Sequence, residues 1–241
     1  SRWAVVKRNG DGLQLQSAAR FADSVAAERK PPAEKPCTKK GLGGFWMHRN
    51  ILSDLDDLGI TSVTVNIVLN NLFSTTGGEG WSPFTYANRT YYVNDGAIRG
   101  YDALLSETAR RHIVVSAIIL IAQGYNAPEG SWSRLVAHRD AHPAGIFVMP
   151  DMDSKDGVLA YAAGMDYLAH RYCTADGPRI HHWILHNEIN AGWIWTNAGK
   201  KTDTLYMDLY HRSMRLVHLI ARQYDPNSKA FISLEHHWNY T

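Results

Sequence analysis

Apolar residues in this chain come in runs about one strand long, separated by stretches where they recur at helical spacing, and that alternation is the first guide to the fold. Ile113 to Ile121 is nearly all apolar and rich in β-branched side chains, which predicts a buried parallel strand. Thr61 to Leu69 and Ile180 to Asn187 read as strands too, with Leu42 to Trp46 as a shorter first strand and Ala230 to Trp238 as the last. Between them, Asn50 to Leu58 (ended by Gly59), Asp102 to Arg111, Gly157 to Tyr172 and Thr204 to Tyr224 carry helical patterns. Strands and helices in turn at this spacing predict βα units on a parallel sheet. The two longest connections, Asn70 to Gly100 and Ala122 to Asp156, both follow strands. In barrels of this class that is the edge where functional loops sit.

The fold class is therefore α/β. The expected architecture is a (β/α)8 TIM barrel of which this chain holds about the first five βα units, the rest being absent or on a second chain or fragment that completes the barrel. A smaller open α/β sheet is the alternative. An isolated partial barrel exposes strand edges and an apolar interior. Residues 1–36 stand apart: Trp3 to Arg8 and Leu13 to Gln16 alternate around the turn signal Asn9-Gly10-Asp11-Gly12, which predicts a hairpin. A short amphipathic run through Phe21, Val25 and Ala26 follows, and Lys30-Pro31-Pro32 to Pro36 breaks structure as a linker. The division is thus a β-rich extension and linker at 1–36 and the barrel portion at 37–241.

Composition narrows the partners. With 45% hydrophobic and 20% charged residues over 241 positions, the chain is globular, not disordered. A net charge of +2 with no long run of like charge argues against a nucleic-acid partner. No apolar stretch is long enough to span a membrane. The first residues lack an export signal, so localisation stays open, with a secreted or periplasmic one favoured. Cys37 and Cys173 are either one disulfide or two free thiols. No glycine-rich phosphate cradle and no GxSxG occur, and no cofactor is expected. The twelve His do not form HExxH or another compact ligand spacing, so no metal site is assigned. Eight Trp and twelve Tyr exceed what a core of this size usually needs, and a surplus of rings tilts the reading toward sugar faces.

The candidate chemistry gathers at Trp183-Ile-Leu-His-Asn-Glu-Ile-Asn190, where an apolar run ends in an Asn-Glu pair. Such a strand delivers the Glu188 carboxyl to the C-terminal edge of the sheet, unless that group merely meets solvent. Glycoside hydrolysis needs two carboxyl groups across the scissile bond, and Glu188 suits the proton donor while Asn187 suits a sugar hydroxyl. Strand alternation puts His186 on the same side as Glu188, where it would touch the acid or substrate; otherwise it is an interior, hydrogen-bonded ring. Near the last strand's end, Glu235 and His237 are candidate hydroxyl ligands and Trp238 a stacking wall. Glu235 facing Glu188 as the second carboxylate is the weaker option. Asn70, at the end of the second strand, is a possible substrate ligand. Trp193 and Trp195, on the loop after the acid, are sugar platforms or loop packing.

On these residues the chain resembles the clan A glycoside hydrolases, retaining barrel enzymes in which an Asn-Glu pair ends the fourth strand. More closely, Lys40-Gly-Leu-Gly43, Val65-Asn-Ile-Val-Leu-Asn70, Trp183 to Asn190 and Phe231-Ile-Ser-Leu-Glu-His-His-Trp-Asn239 resemble a bacterial family of barrel proteins of unknown function placed near that clan. The resemblance implies a glycosidase acting on a poly- or oligosaccharide, with Glu188 as general acid/base. The clan's nucleophile ends the seventh strand, which this chain does not reach. A catalytically inactive carbohydrate-binding barrel and a metal-dependent barrel hydrolase are the alternatives.

Overall fold

A computed structural model of the protein describes residues 2–47 and 52–236; His237, Trp238 and Asn50 lie outside them. In the extension, β1 (Arg2–Trp3) comes first, and β2 (Val6–Asn9) and β3 (Gly12–Leu15) form the hairpin that Asn9-Gly10 predicts, with Gly10 at φ +60°. β4 (Arg20–Phe21) runs antiparallel to β1. Then come β5 (Gly41–Leu42), α1 (Leu52–Asp57) and β6 (Ser62–Val68).

The connection from Asn70 to Gly100 is not the open loop its length suggests. It folds as a three-stranded antiparallel sheet of β7 (Phe73–Ser74), β8 (Trp81–Tyr86) and β9 (Arg89–Asn94). Alternating aromatic and β-branched residues favour those strands. The tight turn between β8 and β9 places Ala87 at φ 48° and Asn88 at φ 61°, the left-handed pair a two-residue hairpin requires. Without a glycine in that turn, the hairpin carries no strong signal in the sequence. α2 (Asp95–Arg110) begins a full two turns before the expected Asp102, because the Asn94 side chain accepts from the Ala97 amide and caps it.

β10 (Val114–Leu120), α3 (Trp132–Val136), α4 (Lys155–Tyr172), β11 (His182–Leu185), α5 (Asp203–Tyr224) and β12 (Lys229–Phe231) complete the chain. β5, β6, β10, β11 and β12 form one parallel sheet in which each strand neighbours its predecessor. Alternation sorts the two faces. Val63, Val65, Ile67, Val115, Ala117, Ile119, Trp183 and Leu185 are buried on the side of the helices. Thr64, Asn66, Ser116, Ile118, His182 and Ile184 point the other way and remain partly exposed. Past the last strand, Ile232 is 49% and Leu234 42% exposed.

Residues 28–34 are fastened to the body of the molecule. The Glu28 amide donates to Gln223 O, Arg29 donates to His170 O at 2.7 Å, and Asn227 donates to Pro31 O at 2.9 Å. Cys37 and Cys173 are free thiols, the first exposed and the second buried. Among the described residues, no helix is long and apolar enough to cross a membrane.

Candidate active site

β11 brings the Asn-Glu pair to the C-terminal edge of the sheet, but its alternation stops at Leu185. Leu185 and His186 are both buried, the peptide between them is cis, and Glu188 takes a left-handed backbone at φ 43° and ψ 63°. The expected shared face of His186 and Glu188 does not form, because alternation holds only while the backbone stays extended. His186 is 1% exposed and turned toward the helices, between the rings of Tyr161 and Tyr210. Its Nδ1–H donates to Ile119 O at 3.1 Å, and Nε2 lies 3.3 Å from Ser213 Oγ. Burial holds the imidazole down to about 4, so it is neutral. His186 is a core residue, out of a substrate's reach.

Glu188 itself is half-buried, and its amide donates to Ser233 Oγ at 2.9 Å. The Ile189 amide donates to Ser233 O at 3.2 Å, and the Glu235 amide to Asn190 Oδ1 at 2.8 Å. These bonds clasp residues 188–190 to residues 233–235, so Glu188 and Glu235 belong to one patch beyond β11 and β12. Neither carboxylate has a hydrogen bond or ion pair among the described residues. Asn187 O accepts from Thr196 Oγ1 at 2.7 Å, which anchors the start of the loop that carries both Trp residues.

Asn70 has a structural use for its whole amide. Its Oδ1 accepts from Ala122 N at 2.7 Å and its Nδ2 donates to Ala122 O at 3.3 Å, clamping the end of β6 to the end of β10. Trp195 is half-buried and stacks on Phe147 at 6.1 Å. Trp193 is 70% exposed at the wall of a groove of about 620 Å3 that also includes Asn190, Lys200, Asp203, Tyr206 and Leu234.

Sequence reasoning passed over Asn197, which the structure makes a hub. It is 5% exposed; its Oδ1 accepts from the His142 and Gly199 amides at 2.7 and 2.9 Å, and its Nδ2 donates to Trp193 O at 2.7 Å. Only the general habit of Asn to bond nearby backbone in loops hinted at such a role. Among the described residues, no three His, Cys, Asp or Glu side chains stand close enough to share a metal ion.

The profile of a family described as "Family of unknown function (DUF5722)" matches residues 32–241. No curated protein matches the chain. Among solved structures, one described as a glycoside hydrolase is 17% identical with a TM-score of 0.45, the match covering 81% of this chain and 53% of that one. A beta-glycosidase from the hyperthermophile Thermosphaera aggregans is 13% identical with a TM-score of 0.42, over 75% of this chain and 41% of its own. The chain thus spans about half the length, or less, of these solved structures. Since the family profile covers most of the chain, the protein belongs to the Family of unknown function (DUF5722).

Proposed function

We propose that the protein is a glycoside hydrolase acting on a poly- or oligosaccharide by a retaining mechanism, its parallel sheet forming the first part of a (β/α)8 barrel. The observation that carries this reading is the Glu188 carboxyl, half-buried and without a bond among the described residues just past the fourth strand of the sheet, on a backbone clasped to the segment that follows the fifth. In such barrels the reacting groups stand at the C-terminal ends of the strands.

Glu188 has the place of general acid and then general base. In the first step it gives its proton to the glycosidic oxygen while a carboxylate attacks the anomeric carbon, and the leaving sugar departs as an alcohol. In the second it takes a proton from the water that attacks the glycosyl-enzyme ester, freeing the nucleophile. Asn187, Glu235, Trp193 and Trp195 are the proposed substrate contacts. The nucleophile belongs to further βα units, on a longer chain or a second one, seated against the outer edge of β12. Phe231, Ile232 and Leu234 support that seat, since they leave an apolar strip exposed beside the edge.

Glu188→Gln tests the assignment, with release of reducing ends from a glycan that the wild-type protein cleaves as the measurement. Loss of general acid catalysis lowers turnover about 100-fold or more; unchanged turnover refutes the role of Glu188. A second reading, a carbohydrate-binding protein without catalysis, is favoured by one observation: Glu188 does not line the groove beside Trp193. Glycan binding with no turnover by the wild-type protein, unaltered in Glu188→Gln, would select it.

A further inference from the structure

We infer that the groove beside Trp193 is a subsite for an uncharged sugar unit, and that Asn197 is the positioning residue that builds it. The inference rests on the glycosidase reading only for its choice of sugar as the ligand class.

The groove lies where two loops of different origin meet. Residues 142–149 follow β10, and residues 189–199 follow β11. Ile146 and Phe147 both donate their amides to Ile194 O, at 2.8 and 3.1 Å. The Asn197 amide donates to Phe147 O and the Met149 amide to Asn197 O, each at 3.0 Å. With its three side-chain bonds, Asn197 joins both loops to the carbonyl of Trp193 itself. Tyr206, on the first turn of α5, lies within hydrogen-bond reach of Ile189 O and Thr196 O, each at 3.1 Å, and so spans the rest of the second loop.

Packing is as tight as the bonding. A Cβ on Gly145 would stand 2.8 Å from the Asn197 Cβ, and one on Gly199 would run into Asp140 O. An indole that is 70% exposed, on a loop tied to its neighbour through Asn197 and Ile194, is a ring held out to a partner. Binding to a platform already fixed costs less ordering entropy, which weak sugar contacts can ill supply.

The polar lining sets the class of ligand. Lys201 is taken up by Asp140 at 2.6 Å. That leaves Lys200 and Asp203, one cation and one anion, with the His142 ring and Asn190, whose Nδ2 has no partner among the described residues. Donors and an acceptor without net charge fit the hydroxyls of a neutral pyranose, with Trp193 against its C–H face.

The test measures binding of cello-, manno- and xylo-oligosaccharides, and of an oligogalacturonate, to the full chain by calorimetry. At least one neutral series binds and the uronate binds more weakly. Trp193→Ala, an exposed change that leaves folding intact, weakens the binding about tenfold or more. Asn197→Asp keeps both acceptor bonds but loses the donor to Trp193 O, so it falls between wild type and Asn197→Ala. Where turnover is measurable, KM rises in these variants while kcat holds, a split that general loosening of the fold does not produce.

Absence of binding by every neutral series, or preference for the uronate, overturns the subsite. Wild-type affinity in Trp193→Ala overturns it too, even with Glu188-dependent turnover intact. Wild-type affinity and KM in both Asn197 variants overturns the positioning role. Conversely, weakened binding in Trp193→Ala beside unchanged turnover in Glu188→Gln keeps the subsite and refutes the hydrolase assignment.

Discussion

The two ends of β11 use polar residues in opposite ways. At its N-terminal end, Arg179 is buried against Asp225 at 2.9 Å and Glu34 at 3.1 Å, and donates to Pro32 O at 2.8 Å. His181 accepts from the Val115 amide at 3.0 Å and meets Glu34 at 3.1 Å; burial, with Arg179 nearby, holds its imidazole down to about 4. At the C-terminal end, Glu188 and Glu235 are half-buried and commit their carboxylates to nothing among the described residues. The difference teaches where the chain spends its charges: one end fastens the extension to the sheet, and the other keeps acids available. Uncommitted carboxylates have to stay within reach of water, since burying them unpaired would cost too much.

The largest effect that would test this contrast is at the fastened end. Arg179→Met removes the cation and leaves Asp225, 1% exposed in its side chain, buried without its partner. We expect a loss of about 3–5 kcal/mol in urea unfolding. A loss under about 1 kcal/mol would mean the buried cluster is not what holds this end together.

How far the contrast was legible beforehand depends on the distance over which each residue acts. The strands of the parallel sheet are visible in β-branched runs such as Val63 to Val68 because each run reports its own burial. The hairpin of β8 and β9 was hidden because Ala87-Asn88 turns without glycine. Asn70 looked like a ligand at a strand end, whereas its partner is the backbone of Ala122, 52 positions away. His186 misled through a local rule, since alternation past Leu185 assumes an extended backbone that the structure does not keep. Asn197 carried no signal beyond the general habit of Asn in loops, as its partners come from two loops that meet only in the folded chain. The place of Glu188, just past the fourth strand, was legible because an acid after an apolar run is itself the anomaly.

His186 sharpens the comparison, since it sits between the two ends yet belongs to the core. Folded, its ring is neutral with a pKa of about 4, against the ordinary value of 6.5 in the unfolded chain. The unfolded state therefore binds the proton more readily. Stability is untouched above 6.5 and falls as pH drops from 6.5 toward 4, by up to about 3 kcal/mol from this ring. His186→Gln is less stable near neutrality but loses that part of the acid slope, leaving the part due to His181 and the other histidines that burial holds down, His138, His182 and His218. Urea unfolding across the same pH range measures both; an unchanged slope in the variant would show that His186 carries no proton linkage.

The smallest effect is expected at the open end, and it is the most discriminating. Glu188→Gln replaces a carboxylate that has no bond to lose among the described residues with an amide of the same shape. Unfolding should change by no more than about 0.5 kcal/mol, in either direction. Groups kept for chemistry are commonly neutral or costly to stability, so a slight gain is as consistent as no change. A loss above about 1 kcal/mol would place Glu188 with Arg179 and Asp225 among the fastening residues. The two ends of the strand would then be alike, and a fall in turnover could no longer be separated from a fall in folded protein. With stability held, a drop in turnover from the same substitution reads on the proposed acid/base role of Glu188 alone.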